Sequence, residues 1–334
     1  MEDLWGRALY DCSLVIEKVE DLQNIRSLLE KNYREISYFN DFNDDWDASI
    51  LDVVYDTAVC DDFDPKIIRK ALELGFYPLA TTRRICHRRE LPKRLAAEYD
   101  DAFFENLKDI PVDFPETDGF NRNAAGEEID AAENLRKIPP FFRFCVQLLT
   151  IRYHSKKLII FFNNFRIPKK VPSLIKKRFA DYTLTFNKNF SLCMEELKNT
   201  YRNETWLYPL LVEQFTQINQ NPDESVSVDS VEIWHDGELV AGEFGFVTGN
   251  VYASLSGFHK EDDIGTVQMV VLGLYLKKHG FAYWDLGMEL DYKYRFGAVA
   301  CNWDEQDEAY ARTSRRRIAF CRDEIPLTDF LSDM

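Results

Sequence analysis

The chain has 334 residues, with 41 Lys and Arg against 57 Asp and Glu and a net charge of −16. That balance opposes indiscriminate nucleic-acid binding, which draws most of its free energy from phosphate neutralisation. An apolar share of 46%, with 25 Phe and 16 Tyr, opposes disorder and supports about two cored domains.

Met1-Glu-Asp-Leu-Trp lacks the apolar core of a signal peptide, and no run reaches the roughly 18–20 apolar residues of a bilayer span. Seven scattered cysteines without a CxxC pair suit a reducing compartment, and the five histidines show no metal-ligand spacing. A cytoplasmic protein without a membrane partner, metal or cofactor is expected.

Residues 1–57 form an acidic extension with one helical stripe, Leu22, Ile25, Leu28 and Leu29, in Val19–Asn32. Asp64, Pro65 and Gly75 mark the cap, first turn and stop of a second helix. The polar stretch 96–140 reads as a surface excursion. From about 142 the chain turns basic and strand-rich: residues 151–190 hold ten Lys and Arg and one acid, Asp181. Leu158-Ile-Ile-Phe-Phe162 is expected as a buried strand, and Phe190–Lys198 and Leu210–Ile218 as helices.

Ser230 to Tyr252 is the most informative segment. Alternation predicts two strands joined at His235-Asp236-Gly237, then a turn at Gly249-Asn250 into a third. A helical segment follows, and then the strand Ala282-Tyr-Trp-Asp-Leu-Gly287. In Leu239–Phe246, period-two alternation sets Glu243 with Ala241 and Gly245, opposite Phe244 and Phe246.

The phrase S-V-E-I-W-x-D-G-E-L-V-A-G-x-x-G resembles the heart of the leucyl/phenylalanyl-tRNA–protein transferases. Three further blocks fall in that family's order. Asp62-Phe-Asp-Pro65 through Gly75-Phe-Tyr-Pro78 is similar to "GDLSP…GIFPW". Leu184–Phe190 with Thr205-Trp-Leu207 is similar to "VT…F…TWI", and Asp285 with Phe296-Gly-Ala298 to "DCQ…SLGA". The resemblance implies an α+β protein with a small N-terminal α/β domain, 58–189 with an insertion at about 90–150. A C-terminal N-acetyltransferase-like (GNAT) domain would occupy 190–334.

The activity it implies moves an amino acid (Leu, Phe or Met) from the 3′ end of its tRNA to the N-terminal amine of a protein, marking that protein for degradation. Such an ester is already activated, so positioning, proton removal and oxyanion stabilisation suffice. By resemblance Asp285 is catalytic. Gly287 stands where the family has Gln, and Glu289 or Asp291 is the expected substitute, Glu289 sharing Asp285's face if the strand runs on. The aminoacyl pocket would comprise Trp206, Glu243, Tyr252, Leu255, Phe258, Leu272 and Leu276. Glu243 replaces a family Met and Leu255 a family Glu, which shifts the expected donor toward Arg and the acceptor toward acidic N-termini. Glu232 is expected to pair with a strand neighbour.

The basic residues Arg83, Arg84, Lys156, Lys157, Lys169, Lys170, Lys176, Lys177 and Arg178 are the expected tRNA contacts. Two other classes share the sequence features. A CoA-dependent N-acetyltransferase needs a phosphate cradle at a helix N-terminus, where this chain has Glu261-Asp-Asp-Ile-Gly265. A non-catalytic adaptor would explain Gly287 and Leu255.

Overall fold

The computed structural model describes residues 14–16, 19–25, 27, 57–60, 63–84, 145–154, 156–201 and 206–334. The calls on Leu28, Leu29, Asp62, Thr205 and 96–140 lie outside them. The chain divides into two compact units: 1–67, 78–152 and 201–211 form one, and 68–77, 153–200 and 212–334 the other.

The first unit holds a four-stranded sheet in the order β1-β2-β4-β3. Its strands are β1 (Leu14–Ile16), β2 (Thr57–Cys60), β3 (Tyr77–Arg84) and β4 (Cys145–Arg152). β1 runs parallel to β2, and β2 antiparallel to β4. Leu22 and Ile25 are buried as expected, yet Val19–Asn24 is a 3-10 turn rather than an α-helix.

Helix α1 (Pro65–Glu73) forms where the sequence predicts it. Asp64 Oδ1 accepts from Lys66 N at 2.7 Å, and Gly75, at φ +76°, takes the left-handed stop.

The second unit is built on an eight-stranded mixed sheet in the order β11-β5-β10-β9-β8-β7-β6-β12. Its strands are β5 (Lys156–Phe161), β6 (Thr183–Phe186), β7 (Val226–His235), β8 (Glu238–Thr248), β9 (Val251–His259), β10 (Tyr283–Asp285), β11 (Val299–Asn302) and β12 (Ile325–Pro326). The expected meander is β7-β8-β9, turned by Asp236 (φ 48°) with Gly237 (φ 82°) and by Gly249 with Asn250. Because β5 and β6 bond into this sheet, the boundary expected at 190 falls inside the unit rather than at its edge.

The crossover from β9 to its parallel neighbour β10 is α5 (Ile264–Lys278). It is buried on nearly every side because α2 (Val171–Arg178) and the C-terminal 3-10 helix (Leu327–Asp333) cover it. This first face of the sheet carries the main core, including Leu158, Ile160, Val231, Ala241, Val247, Tyr252, Leu272, Leu276 and Trp284. The second face meets α3 (Phe190–Tyr201), α4 (Pro209–Gln220) and α7 (Trp303–Ala311). There Ile159, Val251, Tyr283, Cys301 and Ala309 pack together, and Phe215 meets Phe244 at 5.4 Å.

Between β8 and β9 the register slips: Gly245 pairs with Ser254 but Phe244 with Ser256, which leaves Leu255 as an extra residue. Such a bulge inverts the alternation beyond it. Gly245 is needed beside it, since a Cβ there would lie 2.2 Å from the Ala253 carbonyl oxygen and 2.7 Å from the Tyr252 hydroxyl. Gly245→Ala is expected to cost about 3 kcal/mol, seen as a lower urea midpoint at unchanged slope. An unchanged midpoint would show that the β8-β9 contact is not tight.

Candidate active site

Asp285 ends β10, and its carboxylate is buried at 5% exposure. Oδ1 accepts from the Tyr77 hydroxyl at 2.7 Å and from Gly287 N at 2.8 Å. Oδ2 accepts from Lys157 Nζ at 2.9 Å. Lys157, itself buried, also donates to the Gly75 carbonyl at 2.8 Å and lies 4.6 Å from the Tyr77 ring centre. Burial, followed by the Asp285 charge, holds the Tyr77 phenol well above its ordinary range.

Strand parity makes this group. Lys157, Ile159, Ala253, Phe246 and Asp285 occupy equivalent second-face positions across β5, β10, β9 and β8, and Phe246 touches Tyr77 at 5.9 Å. Lys157 is therefore not an RNA contact but the counter-ion of Asp285. Tyr77 was missed as a site residue, although the Gly75-Phe-Tyr-Pro78 block contains it.

Glu289 does not share Asp285's strand face. The strand ends at Asp285, and Gly287, at φ +67°, turns the chain away. Glu289 is exposed, pairs with Lys156 at 2.7 Å and accepts from the Tyr294 hydroxyl. The Lys156 bond, then that of Tyr294, lowers its pKa, so it is a well-held surface carboxylate.

Glu243 faces the interior on the first face, at 6% exposure and with the neighbours that alternation assigns. Its Oε1 accepts from Tyr252 Oη at 2.9 Å and Ser254 Oγ at 2.7 Å, and Ser254 in turn accepts from Trp284 Nε1 at 2.8 Å. Oε2 receives no hydrogen bond from the described residues. Burial raises the carboxyl's pKa against the opposing effect of those two hydrogen bonds.

The remaining pocket candidates do not form one wall. The Leu255 bulge sends Phe258 to the second face, against Gly242, while Tyr252 stays on the first. Leu255 itself is half-buried. Tyr252, Leu272 and Leu276 are fully enclosed at 0% exposure. Phe320 lies over Tyr252 at 5.5 Å and stacks on Phe186 at 4.3 Å. Trp206, half-buried, belongs to the first unit.

Glu232 is fully committed, accepting from Thr185, Ser230, Trp234 and the Asn189 amide that opens α3. This extends the strand-neighbour pairing read from the sequence.

Of the basic candidates, Lys170 and Arg178 bond to Asp263 at the start of α5, and Lys156 to Glu289. Lys169, Lys176 and Lys177 are exposed and make no ion pair among the described residues. Arg83 and Arg84 lie on β3, and their side chains fall outside the described residues. Among the described residues no three His, Cys, Asp or Glu converge as a metal site, and no helix is long and apolar enough to cross a membrane.

Residues 159–311 match the family described as leucyl/phenylalanyl-tRNA protein transferase. The chain resembles these transferases. A leucyl/phenylalanyl-tRNA–protein transferase of Flavobacterium johnsoniae is 26% identical over 156 residues, covering 46% of this chain and 69% of that protein. Those of Hydrogenovibrio crunogenus and Solidesulfovibrio magneticus are each 29% identical, covering 43% and 42% of this chain. The chain spans 56% of the length of each of these two relatives. A solved C-terminal domain of a putative lysylphosphatidylglycerol synthetase from Agrobacterium fabrum covers 49% of this chain and 58% of that one, at 12% identity and a TM-score of 0.24, too low to place the fold. Glu243, Tyr252 and Asp285 lie within the transferase match, and Tyr77 and Lys157 lie outside it.

Two predictions follow from the buried charges. Asp285→Asn strands the Lys157 ammonium and is expected to cost about 3–5 kcal/mol in chemical denaturation. Adding Lys157→Met should recover most of that, and a double variant no more stable than the single one would show that the pair is not the cause. Glu243→Gln keeps the acceptor for Tyr252 and Ser254 without the buried charge. The carboxyl's folded pKa is raised, so its ionisation penalises the fold at neutral pH, and the penalty fades as pH falls through that pKa. Glu243→Gln should therefore raise stability by about 1 kcal/mol at pH 7, with the gain lost toward pH 4. A pH-independent difference would contradict the assignment.

Proposed function

We propose that this protein is an aminoacyl-tRNA–protein transferase, moving an amino acid from the 3′ end of its tRNA to the N-terminal α-amine of a protein. The carrying observation is the buried Asp285, ordered by Tyr77 and Lys157 at the end of β10, inside the segment matched to the transferase family. In this reading the eight-stranded unit is an N-acetyltransferase-like (GNAT) domain, the four-stranded unit is the family's N-terminal domain, and the protein works in the cytoplasm, marking its acceptors for degradation.

The acceptor amine attacks the ester carbonyl carbon, the carbonyl π pair moves to oxygen, and the tetrahedral oxyanion collapses. The C–O bond to the ribose breaks, and the ribose oxygen leaves with the proton given up by the amine. No protein nucleophile or redox partner enters this balance. Asp285, fixed by Tyr77, Lys157 and the Gly287 amide, orients and attracts the acceptor's amine. Glu243 is the donor-pocket group. A carboxylate in a residue at 6% exposure, with one oxygen lacking a donor among the described residues, favours a cationic donor side chain, so we place arginine beside Leu, Phe and Met as the transferred residue. Tyr252, Leu272 and Leu276 pack behind Glu243, and Lys169, Lys176 and Lys177 meet the tRNA, with binding that weakens as salt rises.

The rival CoA chemistry is disfavoured by α5's own start. Asp263 stands there with its charge taken by Lys170 and Arg178, flanked by Glu261 and Asp262, and this is a poor seat for pyrophosphate.

Transfer of labelled Leu, Phe, Met and Arg from their tRNAs to peptides with N-terminal Arg, Lys, Asp or Glu tests the reading. One donor is expected to be transferred. Asp285→Asn in the Lys157→Met background should lose about 100-fold or more in rate while remaining folded. Undiminished transfer in that variant removes Asp285 from the chemistry, and no transfer by the unaltered chain favours an adaptor.

A further inference from the structure

Lys293 belongs to the four-residue helix α6 (Asp291–Tyr294), between exposed Tyr292 and Tyr294, and was not singled out in the sequence. Lys293 itself is buried, at 7% exposure. Nζ donates to the Leu286 carbonyl at 2.6 Å and the Met288 carbonyl at 2.9 Å, which bracket Gly287 immediately after Asp285. An ammonium has three N–H donors. The third has no acceptor, and Lys293 makes no ion pair, among the described residues. Lys157 has the Asp285 carboxylate as its countercharge, whereas Lys293 is held by two neutral carbonyls and makes no ion pair among the described residues.

We infer that the Lys293 ammonium is a catalytic group of the transfer, donating its third N–H to the oxyanion that forms on the ester carbonyl. This rests on the aminoacyl-transfer reading above. The donor is built in advance: it is fixed at two points, nearly free of solvent, and set at the strand end where the reacting carbon must sit to meet Asp285. The bond it makes strengthens as the carbonyl π pair moves to oxygen and weakens when the C–O bond to the ribose breaks. Lys293 therefore gives up no proton in the cycle.

Two carboxylates act on Lys293, Asp285 from β10 and Glu243 from β8. Asp285 is already shared with Lys157 and Tyr77, and Glu243 is hydrogen-bonded by Tyr252 of β9. On its own segment, the Tyr292 ring lies 5.9 Å away and Arg295 donates to Thr266. Burial outweighs the two carboxylates and lowers the Lys293 pKa to about 8. The charged form therefore disappears as pH rises through that value, within the range in which an acceptor α-amine, of pKa about 8, becomes nucleophilic.

Single-turnover transfer at saturating acceptor, corrected for spontaneous ester hydrolysis, is then expected to give a bell centred near pH 8. Lys293→Met should lower the peak about 100-fold or more and erase the alkaline limb. Lys293→Arg, which does not titrate in this range, should keep a larger share of the rate and also lose that limb. A wild-type rate in Lys293→Met, or an unchanged alkaline limb in Lys293→Arg, overturns the proposal. So does a wild-type rate that only climbs through pH 8 with both variants equally inactive, since that is the behaviour of a base.

A second measurement does not need turnover: binding of an aminoacyl-adenosine analogue whose ester carbon is replaced by an anionic tetrahedral phosphonate. Wild type should bind it at least about 50-fold more tightly than Lys293→Met, each checked for folding by thermal melting, and equal affinity refutes the role. If the unaltered chain binds the analogue in this lysine-dependent way yet transfers nothing, the transfer reading fails and the anion site stands. If it binds no analogue, the lysine proposal fails regardless of transfer.

Discussion

Lys157 and Asp285 meet diagonally across two antiparallel strands, Asp285 facing Ile159, with almost no solvent, and neither position tolerates being alone. Removing two such charges from water costs several kcal/mol each, and their attraction offsets this only when the geometry is good and the remaining valences are filled. Here Lys157 also donates to the Gly75 carbonyl, and Asp285 also accepts from the Tyr77 hydroxyl and the Gly287 amide. Asp285 is therefore positioned by its partners. The same constraint draws the Gly75–Tyr77 turn onto the sheet, so a short segment far back in the chain completes the site.

Seen from this pair, the second unit has two kinds of buried polarity. Glu232 is closed, with both carboxylate oxygens supplied by several protein donors, whereas Asp285 Oδ2 accepts from Lys157 alone among the described residues. Among the described residues Glu243 and Lys293 are open, Glu243 Oε2 having no donor and Lys293 no countercharge in an ion pair. Closed polar groups fix a fold, whereas open ones in a nearly dry setting are costly unless something else completes them. That contrast is the reason for placing donor recognition at Glu243 and charge stabilisation at Lys293.

Much of the scaffold was legible in the chain. Asp64, Pro65 and Gly75 announced α1, the Asp236-Gly237 turn announced the hairpin, and period-two alternation set Glu243 on the correct face. These signals are local, carried by backbone conformation and pleat. What could not be read was long-range. The basic run containing Lys157 reads wholly as tRNA contacts because composition does not reveal which alternate lysine of a strand turns inward. Glu289 was misplaced because Gly287 was weighed as a lost side chain rather than as the left-handed residue that stops the strand. Tyr77 was passed over inside a block already matched, and Lys293 lay in a stretch whose exposed tyrosines mask one buried position.

The bulge at Leu255 has a wider consequence. Inserting one residue into a paired strand changes no charge and deletes no contact type, yet it exchanges which layer receives each later side chain until the strand ends. A lineage can in this way hand an aromatic from one compartment to another without substituting it, and relatives aligned letter by letter across such a step will share identities while differing in what those identities enclose. Within this sheet, the meaning of a residue after 255 is set as much by counting as by chemistry.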